Sequence, residues 1–450
     1  MTPDNQDSRR IGVYTAIAVV AANMIGTGVF TSLGFQLFSL TTGFAIVALW
    51  LVGGCAALCG ALSYGELSAA MPRSGGEYYL LSRIYHPVVG FLSGWVSVVV
   101  GFSAPIAAAA MAMGQYLARV LVQTGVVSAG SQPATVTAIA VTGVTVISIV
   151  HLLDVRSVSR FQIAFTTLKV SLIVALVACG FVLAKAQPVS FLPDRASLGS
   201  IFSSSFAVSL VYVMYAYSGW NAAIYVASDV KNPGRYLPLS LVFGTLIVIL
   251  LYVPLNAVFM YAAPVDQMKG QVDVGYIAAH HIFGETGGLI MGLLISIGLV
   301  SAISSMVWTG PRVTQVMGED IGILRLLSVK NRNGVPHLSL LFQYVLVIAL
   351  ILTATFESIV NYIGVMLSLS AFLTVIGVFV LRATEPELPR PYRTLGYPVT
   401  PVVFLGVTGW MMFFVIKERP MVTVAAAGTL AAGLILYFID RWRAASRPTA

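Results

Sequence analysis

A chain of 450 residues that is 58% hydrophobic and 9% charged, with a mean hydropathy of +0.90, has more apolar surface than a soluble core hides, so lipid must solvate most of it. Its net charge of +8 does not point to nucleic acid, because the basic residues are scattered along the edges of apolar stretches with no basic stripe or binding motif. A GxxxxGK[ST] phosphate loop, an HExxH pair and a large polar domain are all missing, which argues against ATP-driven pumping and zinc proteolysis.

A membrane-spanning helix needs about 20 apolar residues. Twelve stretches qualify, at 11–40, 43–70, 88–121, 134–152, 157–186, 198–229, 236–262, 285–317, 337–356, 358–382, 400–417 and 420–440. The expected fold class is an all-α polytopic membrane protein. Ser8-Arg9-Arg10 superficially resembles an export signal, but no small-residue cleavage site follows and eleven further spans do, so the first helix is read as uncleaved.

The first span contains Asn23-Met24-Ile25-Gly26-Thr27-Gly28-Val29-Phe30. Two glycines, each costing about 1 kcal/mol relative to alanine, weaken a helix interior, and broken helix survives in hydrocarbon only where protein or water covers it. The expected product is a helix broken at mid-bilayer, whose second half offers free N–H groups and a positive dipole end to a carboxylate. In the second span Gly53, Gly54, Gly60 and Gly65 make a small-residue surface for close helix approach. It ends near Pro72 and the Gly75-Gly76 turn; Glu66 and Glu77 lie close in sequence to Arg73 and Arg83, either as an ion-pair latch or as solvated loop charge.

The third span holds no acidic residue. A cationic side chain at mid-membrane would need one, so a pocket for neutral side chains is favoured. Lys169, in the fifth span, is the one cation well inside the membrane and is expected to face the bundle interior. Two compatible roles stand: satisfying carbonyls freed by the broken first helix, and carrying a proton during transport. In the sixth span Tyr215-Ala216-Tyr217-Ser218-Gly219-Trp220-Asn221 supplies a second break, whose freed carbonyls suit an α-ammonium group; paired interruptions in two halves of a chain point to a secondary transporter's site. The connection 263–285 has room for a short surface helix. Ser301, Ser304 and Ser305 in the eighth span are placed to approach Lys169 or an ion, or to bond their own helix carbonyls. Asn361 opens the tenth span, and the last two helices read as an appended pair.

Of the 25 Lys and Arg, eighteen fall on the side of the N-terminus, six on the other and Lys169 within a span, which by the positive-inside rule places both termini in the cytoplasm. Cys55, Cys59 and Cys179 lie within spans and imply no disulfide framework or structural zinc; His280-His281 read as loop polarity rather than a metal site.

Together the Met24–Phe30 run, Tyr64-Gly65-Glu66-Leu67 through Ser74-Gly75-Gly76-Glu77-Tyr78-Tyr79 to Gly94-Trp95, and Tyr215–Asn221 followed by Lys231-Asn232-Pro233 resemble the amino acid–polyamine–organocation transporter superfamily, in its L-type amino acid transporter branch, over nearly the whole chain. The resemblance implies a LeuT-like fold: two inverted five-helix repeats at 11–186 and 198–382, an added helix pair at 400–440, and cytoplasmic tails at 1–10 and 441–450. It implies that Gly26, Thr27 and Gly28 hold the substrate carboxylate, and that Met24 or Ile25 with Tyr215, Ala216, Ser218 and Gly219 receive and cover the amino group. Asn361 falls near the side-chain pocket. Lys169, with Ser304 and Ser305, stands where other members hold sodium. Ser218 departs from the glycine common in the sixth-helix motif, and the connection after the third span lacks the cysteine that bonds a heavy chain in heteromeric animal members.

The expected function is secondary transport of small or medium neutral L-amino acids by alternating access, as exchanger or proton symporter, in the plasma (inner) membrane. No cofactor, metal, nucleic acid or covalent heavy-chain partner is expected, and no enzymatic activity. Polyamine or organic-cation transport, and a non-transporting amino acid sensor, are the alternatives.

Overall fold

The first apolar stretch is two helices: α1 (Val13–Met24) and α2 (Gly28–Gln36), separated by Ile25, Gly26 and Thr27. The computed structural model describes residues 11–153 and 158–445; Arg9, Arg10, Arg156 and Arg447, which entered the orientation count, lie outside them. α3 (Gly43–Ala70) starts where the Thr42 hydroxyl accepts the Ala45 N–H at 3.3 Å, and α4 (Gly76–Ile84) follows the Gly75-Gly76 turn. Pro87 opens α5 (Pro87–Val96), which passes through a π turn at Ser97–Phe102 into α6 (Ser103–Gln123). α7 (Gln132–Leu153), α8 (Val158–Leu183) and the short α9 (Arg195–Ser200) lead to the second interruption. There α10 (Ser204–Tyr217), capped by Ser203, stops, and a 3₁₀ segment (Ala222–Asp229) resumes after Ser218–Asn221.

The second half continues with α11 (Pro233–Ala262), α12 (Val265–Met268) and α13 (Val274–Asp320), which turns at Gly284 (φ +78°). The outer connection thus carries a helical arm as well as a short helix. α14 (His337–Thr353), α15 (Phe356–Thr384), α16 (Val399–Glu418) and α17 (Pro420–Ala445) complete the chain. Among the described residues ten helices are long and apolar enough to cross a bilayer; α14 is a shorter apolar helix of 17 residues, and the sixth stretch is divided. The architecture is an all-α polytopic bundle.

The glycines of α3 do what their size predicts. A Cβ on Gly53 would sit 2.4 Å from Val213, one on Gly54 2.9 Å from Ile249 and one on Gly60 2.9 Å from Phe404, so α3 is seated against α10, α11 and α16 through its missing side chains. Large aromatics fill the space beside the first break: Trp50, Tyr217 and Tyr252 are all buried and mutually packed, with Trp50 also donating to Gln36 Oε1 at 3.1 Å.

On the side of the N-terminus, the start of the first helix is tied to the end of the sixth. Ile11 N–H donates to the Asp229 carbonyl at 3.0 Å and Lys231 N–H to the Ile11 carbonyl at 2.9 Å. The acids of this face pair differently from their sequence neighbours. Glu66 accepts from Arg382 at 2.8 and 2.6 Å and from the Thr394 N–H and hydroxyl at 2.7 Å each, with Arg390 at 3.4 Å. Arg83 reaches Glu385 at 2.7 Å, and Arg73 lies over the Tyr79 ring. The latch therefore spans the chain ends of α3 and α15 rather than one loop, because α15 brings Arg382 back alongside α3. Glu66 is 1% exposed, and removing one partner of a buried network costs about 3–5 kcal/mol. Glu66→Gln should lower the thermal unfolding midpoint of the detergent-solubilised protein by several degrees; an unchanged midpoint would show the network to be dispensable.

Candidate substrate site at the two broken helices

The backbone at the first break is short of partners mainly on its donor side. Three of its carbonyls are taken and that of Gly26 is open among the described residues: Met24 accepts from Gly26 N–H at 2.9 Å and from the Tyr252 hydroxyl at 2.7 Å, Ile25 accepts from Lys169 Nζ at 2.6 Å, and Thr27 accepts from Phe30 N–H and the Thr31 hydroxyl, both at 3.0 Å. Its donors are not: the N–H groups of Thr27, Gly28 and Val29 meet no acceptor among the described residues. Three free donors at the N-terminus of α2, where the helix dipole is positive, form an anion cradle of the kind a carboxylate fills.

The second break leaves groups of both kinds open, and the N–H groups of Gly219, Trp220 and Asn221 meet no acceptor among the described residues. Ser218 N–H folds back on the Tyr215 carbonyl at 3.0 Å and Ala222 N–H on that of Gly219 at 2.9 Å, while the carbonyls of Ala216, Tyr217 and Ser218 receive no donor among the described residues. Gly219 permits this geometry: its φ is +98°, and a Cβ there would lie 2.9 Å from the Asn23 carbonyl carbon and oxygen.

These two stretches touch. A Cβ on Gly28 would stand 2.5 Å from Ala216 Cα, and the Thr27 and Tyr215 hydroxyls are hydrogen-bonded across the contact. Thr27, Gly28, Tyr215 and Ala216 are buried; Gly26, Ser218 and Gly219 are partly exposed and Asn23 is exposed, so the accessible edge lies toward the ends of the breaks nearer α1 and the 3₁₀ segment. Open N–H groups at the start of α2 beside open carbonyls at the end of α10 are the complement of a zwitterion.

Lys169 is 3% exposed; its stem lies against Gly298 of α13, and its ammonium contacts a carbonyl of the first break. Met24 and Ile25 were expected to receive the amino group, but their carbonyls already hold Tyr252 and Lys169. The acceptors left over are the Gly26 carbonyl and those of the sixth helix. Ser304 does not sit with Lys169: its hydroxyl is 2.9 Å from His151 Nε2 of α7 because its place on α13 faces that helix, and the Ser305 carbonyl accepts from Thr309 one turn on. Asn361 is buried beneath α10, donating to the Tyr212 hydroxyl at 3.2 Å and the Glu357 carbonyl at 2.8 Å, with its own Oδ1 unpartnered. It adjoins the sixth helix one turn away from Tyr215.

Sequence reasoning missed Tyr252 and the pairing of Tyr64 and Asn221 with Glu77. Tyr252 sits in an uninterrupted apolar run and reads as packing; only its contact with a freed carbonyl distinguishes it. The Tyr64 hydroxyl and Asn221 Nδ2 both donate to Glu77 Oε1, at 2.5 and 3.0 Å. His281 hydrogen-bonds Gln267 and His280 stacks on Tyr276, and the described residues hold no group of metal-ligating side chains.

A sequence profile for the family described as "Amino acid permease" matches residues 11–438. The "b(0,+)-type amino acid transporter 1" of Mus musculus is 25% identical over 443 residues, covering 96% of this chain and 88% of the mouse protein. The human "Large neutral amino acids transporter small subunit 2" is 24% identical over 438 residues, covering 96% of this chain and 80% of its own.

Proposed function

Since the chain belongs to the amino acid permease family, within the amino acid–polyamine–organocation superfamily, and is therefore an amino acid transporter, we propose that it carries neutral L-amino acids across the membrane by alternating access, binding them between its two broken helices. The observation that carries this reading is that open N–H groups at Thr27–Val29 and open carbonyls at Ala216–Ser218 lie on segments in contact. The carboxylate goes to the first set and the ammonium to the second. The side chain points toward Tyr215 and Asn361, where no buried carboxylate among the described residues waits for a cationic substrate. Names of the relatives, which speak of amino acids and large neutral amino acids, support the same class.

Under this reading the halves 11–186 and 198–382 are the inverted repeats, 400–440 is the added pair, all twelve stretches span, and both termini face the cytoplasm from the plasma (inner) membrane. The word "subunit" in one relative's name raises the matter of a partner. The stretch joining α6 to α7 contains no cysteine, so we infer transport without a disulfide-linked heavy chain.

Purified protein in liposomes loaded with unlabelled neutral amino acids should take up labelled ones in exchange, with saturation. Uptake competed by agmatine or putrescine but not by alanine or leucine would reassign the substrate to organic cations; binding without flux would make the protein a sensor.

A further inference from the structure

Glu77 is a carboxylate in an unusual position. It is 3% exposed, and the two cations nearest in sequence are engaged elsewhere, Arg73 over the Tyr79 ring and Arg83 with Glu385. No charged side chain among the described residues pairs with it. The groups that face it are the Tyr64 hydroxyl from α3, Asn221 from the sixth-helix break and the Tyr225 phenol from the 3₁₀ segment; Thr374 of α15 and Ser97 of the π turn reach the two tyrosines. Both direct hydrogen bonds go to Oε1, which leaves Oε2 as the atom to carry a proton.

The same few residues clasp two moving parts together. A Cβ on Gly76 would stand 2.3 Å from the Tyr225 ring, so the start of α4 is seated on the 3₁₀ segment. The Ser74 and Ser228 hydroxyls lie 2.5 Å apart, and Ser228 N–H donates to Ser74 Oγ at 3.1 Å. Through Asn221, Glu77 holds the sixth-helix break itself.

We propose that Glu77 is a positioning residue that locks the N-terminal-side gate of the transport path in its protonated form, and that opening the gate releases that proton to water. This rests on the transport function proposed above. In the clasped state the proton sits on Oε2 and Oε1 accepts from Tyr64 and Asn221; when the 3₁₀ segment moves off α4, water reaches the carboxyl, the proton leaves to it, and closure takes one back. No bond to carbon changes. Burial pushes the Glu77 carboxyl up to about 7, against the lowering effect of its two hydrogen bonds. A carboxyl raised in the clasped state favours that state while it is protonated, and the advantage fades as pH rises from its ordinary value, 4.5, to about 7. Alkaline conditions therefore loosen the clasp.

The test uses the full chain in liposomes, with exchange of a neutral amino acid measured at equal pH inside and out. In the unmodified protein exchange should change by at least about threefold between about pH 5 and about pH 8, levelling off above about 7; in Glu77→Gln, whose amide keeps the acceptor and replaces the protonated oxygen, the normalised profile should be flat. Amide hydrogen exchange of residues 222–229, corrected for intrinsic rate, gives a readout that does not depend on flux: protection should fall toward pH 8 in the unmodified protein and not in Glu77→Gln. A Glu77→Gln profile that follows the unmodified one in either measurement overturns the proposal. Absence of exchange at every pH would instead overturn the transport reading.

Discussion

Lys169→Ala should lower amino acid exchange by at least about tenfold while shifting the thermal unfolding midpoint little. Two energetic effects oppose each other at this site. Losing the ammonium leaves the Ile25 carbonyl without its donor, at a cost of about 1–3 kcal/mol. Removing a lysine from a spanning segment relieves a penalty of about 2.5–3.5 kcal/mol on insertion scales. The fold therefore has no reason to collapse. The first break does have reason to relax, because one of the side chains fixing its carbonyls is gone. Reactive groups displaced by about 1 Å lose on the order of a hundredfold in activity, so transport is the property that suffers. Unimpaired exchange by a stable Lys169→Ala protein would remove the ammonium from the transport cycle. If proton coupling is measured in the unmodified protein, it should vanish in this variant.

The second large effect is steric. Gly28→Ala should weaken amino acid binding by on the order of a hundredfold and lower stability by about 1–3 kcal/mol. The new methyl would meet Ala216 Cα at 2.5 Å and its Cβ at 2.7 Å, and a backbone atom cannot swing aside as a side chain does. The two breaks would have to separate by roughly 1 Å, pulling the N–H cradle away from the carbonyls across from it. Gly26→Ala makes the contrast: a Cβ there finds nothing nearer than the Met24 carbonyl oxygen at 4.0 Å, and its φ is not positive. Gly26→Ala should therefore unfold within about 1 kcal/mol of the unmodified protein. Ligand binding by calorimetry and melting curves in detergent check both; equal stability losses in the two variants would mean the close approach of Gly28 is not what the fold depends on.

Much of the architecture was legible because the bilayer leaves few choices. Twenty-residue apolar runs become helices, and a glycine pair in such a run marks a break that shows in sequence before any packing is known. Gly26–Gly28 and Ser218–Gly219 are interrupted in the structure as their composition implies, and Lys169 lies against the first break. What sequence could not supply was partner choice. Glu66 stands seven residues from Arg73 yet binds Arg382, which α15 carries back from more than three hundred positions away. Ser304 was grouped with Lys169 because both lie in spans with polar atoms to satisfy, but the rotation of α13 turns its hydroxyl to His151. Met24 and Ile25 expose carbonyls in any unwound turn; that tyrosine and lysine side chains already occupy them depends on how α8 and α11 are laid against α1. Glu77 reads from sequence equally as part of an ion-pair latch or as loop charge, and only the seating of α4 on the 3₁₀ segment makes it buried.

The two hydrogen bonds joining Ile11 to Asp229 and Lys231 have a mechanical result. They fasten the leading end of one half-helix to the trailing end of another, so neither can tilt without dragging its neighbour or snapping a main-chain link that side-chain substitution cannot remove. The pair is built to move as a single lever, hinged where both are unwound.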